Sequence, residues 1–162
     1  MNNSNWIDIS SPIGLIRVFE TNGKITALEI AASRQAKKSP EITKVLIESK
    51  KQIDNYFSGN LKKFTLPIDL SSGTQFQREV WQKIAKTGFG KSTSYLEIAR
   101  AIGRPKAARA VGGAVGANPV PLLIGCHRVM GSSGQITGYS GGKGIPTKKW
   151  LLRHESIAAS DF

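Results

Sequence analysis

β-Branched and apolar residues are mixed through residues 13–20 and 24–30, two runs that flank Thr21-Asn22-Gly23. Such runs predict strands, and Asn-Gly between them predicts a tight hairpin because both residues tolerate positive φ. A helical pattern follows. Ile42, Val45, Leu46, Ile53, Tyr56 and Phe57 recur at helical spacing. Ser39-Pro40-Glu41 predicts the start of that helix, with Pro40 at its first position, and Gly59 predicts its end. A short strand is expected over residues 66–70, and Ser71-Ser72-Gly73 reads as a linker.

Beyond the linker the pattern is helical. Thr74 with Gln77 forms a capping box ahead of Phe76, Val80, Trp81 and Ile84, and Ser94 with Glu97 repeats it ahead of Leu96, Ile98 and Ile102. Gly103 closes this second helix and Pro105 opens the next, so residues 95–102 and 105–115 predict a helix-turn-helix. Pro146 opens a last helix reaching His154-Glu155. The expected class is α/β of the α+β kind: a small sheet-and-helix support domain over residues 1–73, then a helical domain over residues 74–162.

The second helix of the pair is nearly free of bulk, with Ala107, Ala108, Ala110, Gly112, Gly113, Ala114 and Gly116. Glycine inside a helix costs about 1 kcal/mol, so the run needs a reason. Tight helix packing is one, and close approach to a DNA groove is the other. Lys106 and Arg109 on the same helix favour the second.

Charge sharpens that choice. The 162 residues carry a net +12, unevenly placed: residues 1–73 hold 10 Lys/Arg against 7 Asp/Glu, and residues 74–162 hold 13 against 4. A basic surface gains affinity for polyphosphate through counterion release; charge alone leaves a merely soluble basic surface open. The first residues lack a basic stretch followed by an apolar run, and no apolar segment is long enough to span a bilayer. A cytoplasmic setting is expected, nuclear in a eukaryote, with no membrane partner.

Cys126 is the single cysteine, beside His127, one of two histidines. It can form neither an internal disulfide nor a cysteine metal cluster. A lone cysteine is commonly just a small buried hydrophobe. Here His127 and Arg128 adjoin it, and basic neighbours favour the thiolate, so a reactive nucleophile ionised near neutral pH is expected.

Several motifs occur in order: Phe76-Gln-Arg-Glu-Val-Trp81, Ser94-Tyr95, Lys106-Ala-Ala-Arg-Ala-Val-Gly-Gly113, Asn118-Pro119, Cys126-His-Arg-Val129, Gly138-Tyr-Ser-Gly-Gly142 and Trp150-Leu-Leu-Arg-His-Glu155. Together they resemble the O6-alkylguanine-DNA alkyltransferase family; Ser11-Pro-Ile-Gly14 and Tyr56-Phe-Ser-Gly-Asn60 extend the resemblance more thinly into the first half. The resemblance implies a ribonuclease-H-like first domain and a winged-helix-like second one. It implies irreversible, single-turnover transfer of an alkyl group from O6-alkylguanine, and from O4-alkylthymine, to Cys126. Displacement at saturated carbon suits a soft thiolate, and the thioether formed is a poor leaving group.

By the same resemblance, Cys126, a water, His127 and Glu155 form a relay, Tyr95 protonates the leaving base, and Asn118 braces the turn before the cysteine. Taken alone, Tyr95 reads equally as a packed aromatic and Asn118 as an ordinary turn former. The small-residue helix enters the minor groove of double-stranded DNA, Arg109 fills the gap left by a flipped base, and Lys106, Ala107, Ala108, Ala110, Gly112, Gly113, Arg128 and Ser94 complete the DNA surface. Val129, Tyr139, Ser140, Gly141 and Lys148 line the substrate pocket. No cofactor and no metal is implied, and a monomer is expected, with cooperativity on DNA left open. One departure stands out: the family carries proline before the cysteine, where this chain has Gly125. That glycine is expected to loosen the turn without abolishing transfer. Two alternatives stay in view: a lesion-binding relative that flips bases without transfer, against which the retained Cys126 argues, and a cysteine hydrolase using Cys126 and His127.

Overall fold

Asn22 at φ 53° and Gly23 at φ 81° turn the chain between β2 (Ile16–Thr21) and β3 (Lys24–Ile30), the antiparallel hairpin anticipated from Asn-Gly. The computed structural model describes residues 4–34 and 37–162. β2 starts later than residue 13 because Gly14 N–H closes a turn on the Ser11 carbonyl. A strand not anticipated, β1 (Asn5–Ile9), pairs antiparallel with β2, so the sheet runs β1-β2-β3.

The next helix, α1, runs Lys44–Phe57 rather than from Pro40. Ser39 is committed elsewhere: its hydroxyl accepts from the Trp6 N–H and donates to the Glu41 carbonyl. Thr43 caps the helix instead, accepting from Leu46 N–H. Its far end closes as Gly59 predicts: at φ 85°, Gly59 N–H donates to Tyr56 O and Asn60 N–H to Asn55 O. Leu46, Ile53 and Tyr56 are fully buried where α1 packs on β1 and β2. The strand expected over residues 66–70 is reduced to one bridge, Ile25 with Ile68, since Pro67 has no N–H to extend a ladder.

The second half begins with α2 (Gln75–Ala85), whose Thr74–Gln77 capping box forms in both directions. β4 (Thr93–Ser94) leads into α3 (Tyr95–Ala101), which Gly103 ends at φ 77°. The following helix, α4 (Ala108–Gly116), starts later than Pro105 because Ala107 N–H bonds to Arg104 O and holds those residues in a turn. Val80, Trp81, Ile84, Ile98, Ala99, Val111 and Ala114 make the three-helix core, and Trp81 Nε1 donates to Ala114 O at 2.8 Å.

Cys126–Arg128 form a single 3₁₀ turn, followed at once by β5 (Val129–Met130), which pairs parallel with β4. Pro146 lies in the first turn of the last helix, α5 (Ile145–His154). The α+β arrangement is therefore as expected. One cluster of buried apolar side chains runs from Ile9 and Ile16 through Val80 and Val111 to Leu151, so both halves share a core. Leu28 N–H of β3 donates to Pro119 O at 2.9 Å, tying the sheet edge to the segment before Cys126. Among the described residues no helix is long and apolar enough to cross a membrane.

Candidate active site

The segment before Cys126 is held by one side chain. Asn118 Nδ2 donates to Ile124 O at 2.9 Å, and Asn118 Oδ1 accepts from Val120 N–H at 3.0 Å. Within that clamp Leu122 has φ 81°, a left-handed conformation costing a bulky residue about 1–2 kcal/mol. Gly125 has φ −72°, which suits the proline of the family pattern. A Cβ there would lie 2.9 Å from Arg128 Cζ and Nη1, so the guanidinium would have to shift to admit it.

That guanidinium is fixed. Arg128 Nε donates to Glu155 Oε1 (2.8 Å), Nη2 to Glu155 Oε2 (3.1 Å) and Nη1 to Thr87 O (2.7 Å). Arg128 is therefore not part of the DNA surface, contrary to expectation, because a buried guanidinium with its donors engaged cannot reach a phosphate. Glu155 also accepts from His127 Nε2 (2.6 Å), Tyr56 OH (2.6 Å) and Gly90 N–H (3.3 Å). Burial pushes this carboxyl up, but the hydrogen bonds from His127 and Arg128 outweigh it and hold Glu155 below the usual carboxylate range.

An ionised carboxylate only accepts, so His127 carries its proton on Nε2. Its Nδ1 is buried without a hydrogen-bond partner. Burial lowers the His127 pKa despite Glu155, leaving a neutral ring with a free lone pair on Nδ1. The thiol corrects a second expectation. Burial pushes the Cys126 thiol up, against the opposing effects of Asn118, Lys148 and Tyr139. The two basic neighbours fail to ionise it because one is neutral and the charge of the other is balanced by Glu155. At rest Cys126 is a thiol and needs a base.

Cys126 forms the floor of a cavity of about 680 Å³. One wall comes from α3 and α4: Tyr95, Ala108, Arg109, Gly112, Val115 and Gly116. The other is Thr137, Gly138, Tyr139 and Ser140. Tyr95 OH shares a 2.6 Å hydrogen bond with Thr137 Oγ1. Burial pushes the Tyr139 phenol up, as does adjoining Cys126, and its hydroxyl, also without a partner of good geometry, retains its proton. Gly141 lies behind this wall rather than in it; a side chain there would come within 2.8 Å of the Tyr139 ring.

The outward face of α4 is smooth. Arg109, Ala110, Gly113 and Gly116 are exposed, as is Lys106 in the turn ahead, while Ala107 and Ala108 are half-buried. Side chains built at Gly113 or Gly116 would meet nothing within 4 Å, so tight helix packing does not explain them; at Gly112 the Tyr95 ring lies 3.8 Å away.

Three further expected residues lie outside the surfaces assigned to them. Ser94 is buried and caps α3 by accepting from Glu97 N–H. Val129 is fully buried, its N–H on Cys126 O and its carbonyl accepting from Lys148 Nζ at 2.6 Å. Lys148 is buried below the pocket, bridging Val129 O and Gly138 O, and burial lowers its pKa to about 8. Sequence reasoning passed over Tyr56, Gly90 and Thr137. Tyr56 read as core on the stripe of α1, and a partner 99 residues away leaves no periodic trace.

Comparison with known proteins identifies the family. Residues 6–70 match the family model described as 6-O-methylguanine DNA methyltransferase, ribonuclease-like domain, and residues 75–157 match its DNA binding domain. The constitutive methylated-DNA–protein-cysteine methyltransferase of Bacillus subtilis is 38% identical, covering 91% of this chain and 93% of that protein. Its counterpart in Methanosarcina barkeri is also 38% identical, covering 91% and 94%. The crystal structure of Mycobacterium tuberculosis O6-methylguanine methyltransferase superposes with a TM-score of 0.83 at 36% identity, covering 98% of this chain and 96% of that one. Mycobacterium tuberculosis OGT in complex with DNA gives 0.82 at 37%, covering 93% and 92%. With both halves matched in order and relatives aligned nearly end to end, the chain belongs to the 6-O-methylguanine DNA methyltransferase family.

Proposed function

We propose that this chain repairs alkylated DNA directly, taking the alkyl group of O6-alkylguanine, and of O4-alkylthymine, onto Cys126 in one irreversible turnover. The observation that carries the reading is a buried thiol on the floor of an open pocket, within one 3₁₀ turn of a neutral histidine whose acceptor nitrogen is free. Consecutive residues diverge on such a turn, so one water passes the thiol proton to His127 Nδ1, and Glu155 stabilises the resulting imidazolium. The sulfur–carbon bond forms as the carbon–O6 bond breaks. The bonding pair leaves with the base, and Tyr95 returns a proton to the ring.

The target oxygen lies inside the duplex, so the nucleotide is flipped into the pocket at a cost of roughly a few kcal/mol, less where the lesion has already weakened pairing. The exposed side of α4 approaches the minor groove, its glycines allow close contact, and Arg109 at the pocket rim takes the place of the extruded base. Lys106 steadies the adjoining phosphates. In this reading residues 74–162 bind DNA and transfer the alkyl group, residues 1–73 support them, and the protein acts as a monomer in a reducing compartment. A lesion binder that flips bases without transfer is not favoured, because Cys126 is retained and the curated relatives are named methyltransferases.

Incubation with duplex DNA containing O6-methylguanine should give a single methyl adduct on Cys126 by intact mass and peptide mapping, and Cys126→Ser should give none. An unmodified parent protein beside an unrepaired lesion would overturn the reading.

A further inference from the structure

Glu155 belongs to the second half of the chain, yet one of its shortest hydrogen bonds comes from the first. Tyr56 lies in the last turn of α1, and its hydroxyl reaches Glu155 Oε2 at 2.6 Å, the oxygen that also accepts from His127 Nε2. The backbone of the same residue is engaged: His154 Nε2 donates to Tyr56 O at 2.8 Å. Tyr56 thus holds two consecutive residues at the end of α5. Its ring is fully buried and packs against Phe57, Phe64, Phe89 and His154, with centroids 5.0–6.0 Å apart.

We propose that Tyr56 is a positioning residue for alkyl transfer, fixing through its hydroxyl the Glu155 oxygen that orients the His127 ring. Support by the first half of the chain is then specific as well as general: it supplies one hydrogen bond to the proton relay. This inference rests on the proposed transfer reaction.

The direction of the effect follows from charge. An Oε2 shared with a phenol offers less negative charge to His127 than an unshared one. Burial pushes the Tyr56 phenol up, as does the Glu155 charge, so it keeps its proton and donates at every relevant pH. The charged groups facing His127 are Glu155, Arg128 and Lys148, with Tyr56 behind the carboxylate. Without the hydroxyl, Glu155 pulls harder on the His127 proton and its carboxylate is freer to rotate. The imidazolium becomes easier to form at rest, which removes the base.

The test is Tyr56→Phe in the full chain, which preserves ring packing. Single-turnover methyl transfer from an O6-methylguanine duplex is followed by intact mass across the pH range in which imidazole titrates. Transfer should slow about tenfold, the scale of losing an outer partner of a reactive group, and its acidic limb should move to higher pH. Phe64→Leu trims the same aromatic cluster and should lower Tm while leaving the limb in place. Because the chain has only two histidines, NMR titration of the His127 ring reads the same shift without any transfer. Rate and titration unchanged in Tyr56→Phe, or moved equally by Phe64→Leu, would sink the inference. A parent protein that takes no methyl group would instead count against the proposed function, with the titration still deciding the role of Tyr56.

Discussion

Behind the Cys126 sulfur the Glu155 carboxylate is fully engaged; in front of it the surface is left bare. At the back, Glu155 accepts five hydrogen bonds from four residues, drawn from α1, the loop before β4 and the 3₁₀ turn. At the front, Gly113 and Gly116 have no neighbour within 4 Å of where a side chain would begin. The contrast separates two requirements. Proton transfer depends on geometry fixed in advance, which calls for bonded, desolvated groups. Groove binding depends on shape, which calls for the absence of side chains. Rigidity belongs to the rear and access to the front.

Breaking the rear should have the largest effect. Glu155→Gln leaves the Arg128 guanidinium buried without its counter-charge, so stability should fall by about 3–5 kcal/mol in urea denaturation. Transfer should slow by more than about 100-fold, since the relay loses its anchor. A loss under about 1 kcal/mol would mean that the network is not what holds this side together.

A smaller disturbance enters through Gly125. Proline suits its backbone, but the added carbon displaces the guanidinium from Glu155. Gly125→Pro should cost about 1–2 kcal/mol despite the entropy it removes from the unfolded chain. A raised Tm with undiminished transfer would show that Arg128 yields easily. The close approach of Arg128 gives Gly125 a second reason beside the looseness expected of it: the glycine makes room.

The front should respond in the opposite sense. Gly113→Ala should raise stability by about 0.5–1 kcal/mol, because it improves helix propensity and meets nothing. Gly113→Leu should fold equally well yet weaken duplex binding roughly tenfold by fluorescence anisotropy, the scale of one lost close approach. If Leu binds duplex DNA as tightly as Gly, the smooth face of α4 does not enter a groove.

What the sequence disclosed follows the range of the interactions. Asn22-Gly23, the Thr74–Gln77 capping box and the stop at Gly59 are contacts among near neighbours, and all form. Pro40 and Pro105 misled because proline suits a turn as readily as the first position of a helix; a competing partner for Ser39 and a turn closed by Ala107 decided each case. The site divides the same way. The residue types at Cys126, His127 and Glu155 indicated the chemistry, and the Ser94–Glu97 cap was legible locally, whereas the positions of Arg128 and Lys148 depended on partners no local pattern names. Arg128 is the sharpest instance: a cation beside a nucleophile reads as a DNA contact until its carboxylate, 27 residues on, is in view.

The two-residue ladder between β4 and β5 has a consequence for substrate range. Thr93 and Ser94 lead directly into Tyr95, while Val129 and Met130 leave directly from the turn bearing Cys126, and main-chain pairing locks these strands in register. The ladder thus sets the main-chain spacing between Tyr95 and Cys126, while the phenol itself is placed by its hydrogen bond to Thr137. Under the proposed transfer reaction, room for bulkier adducts should come from the opposite wall, where residues 137–140 belong to no helix or strand.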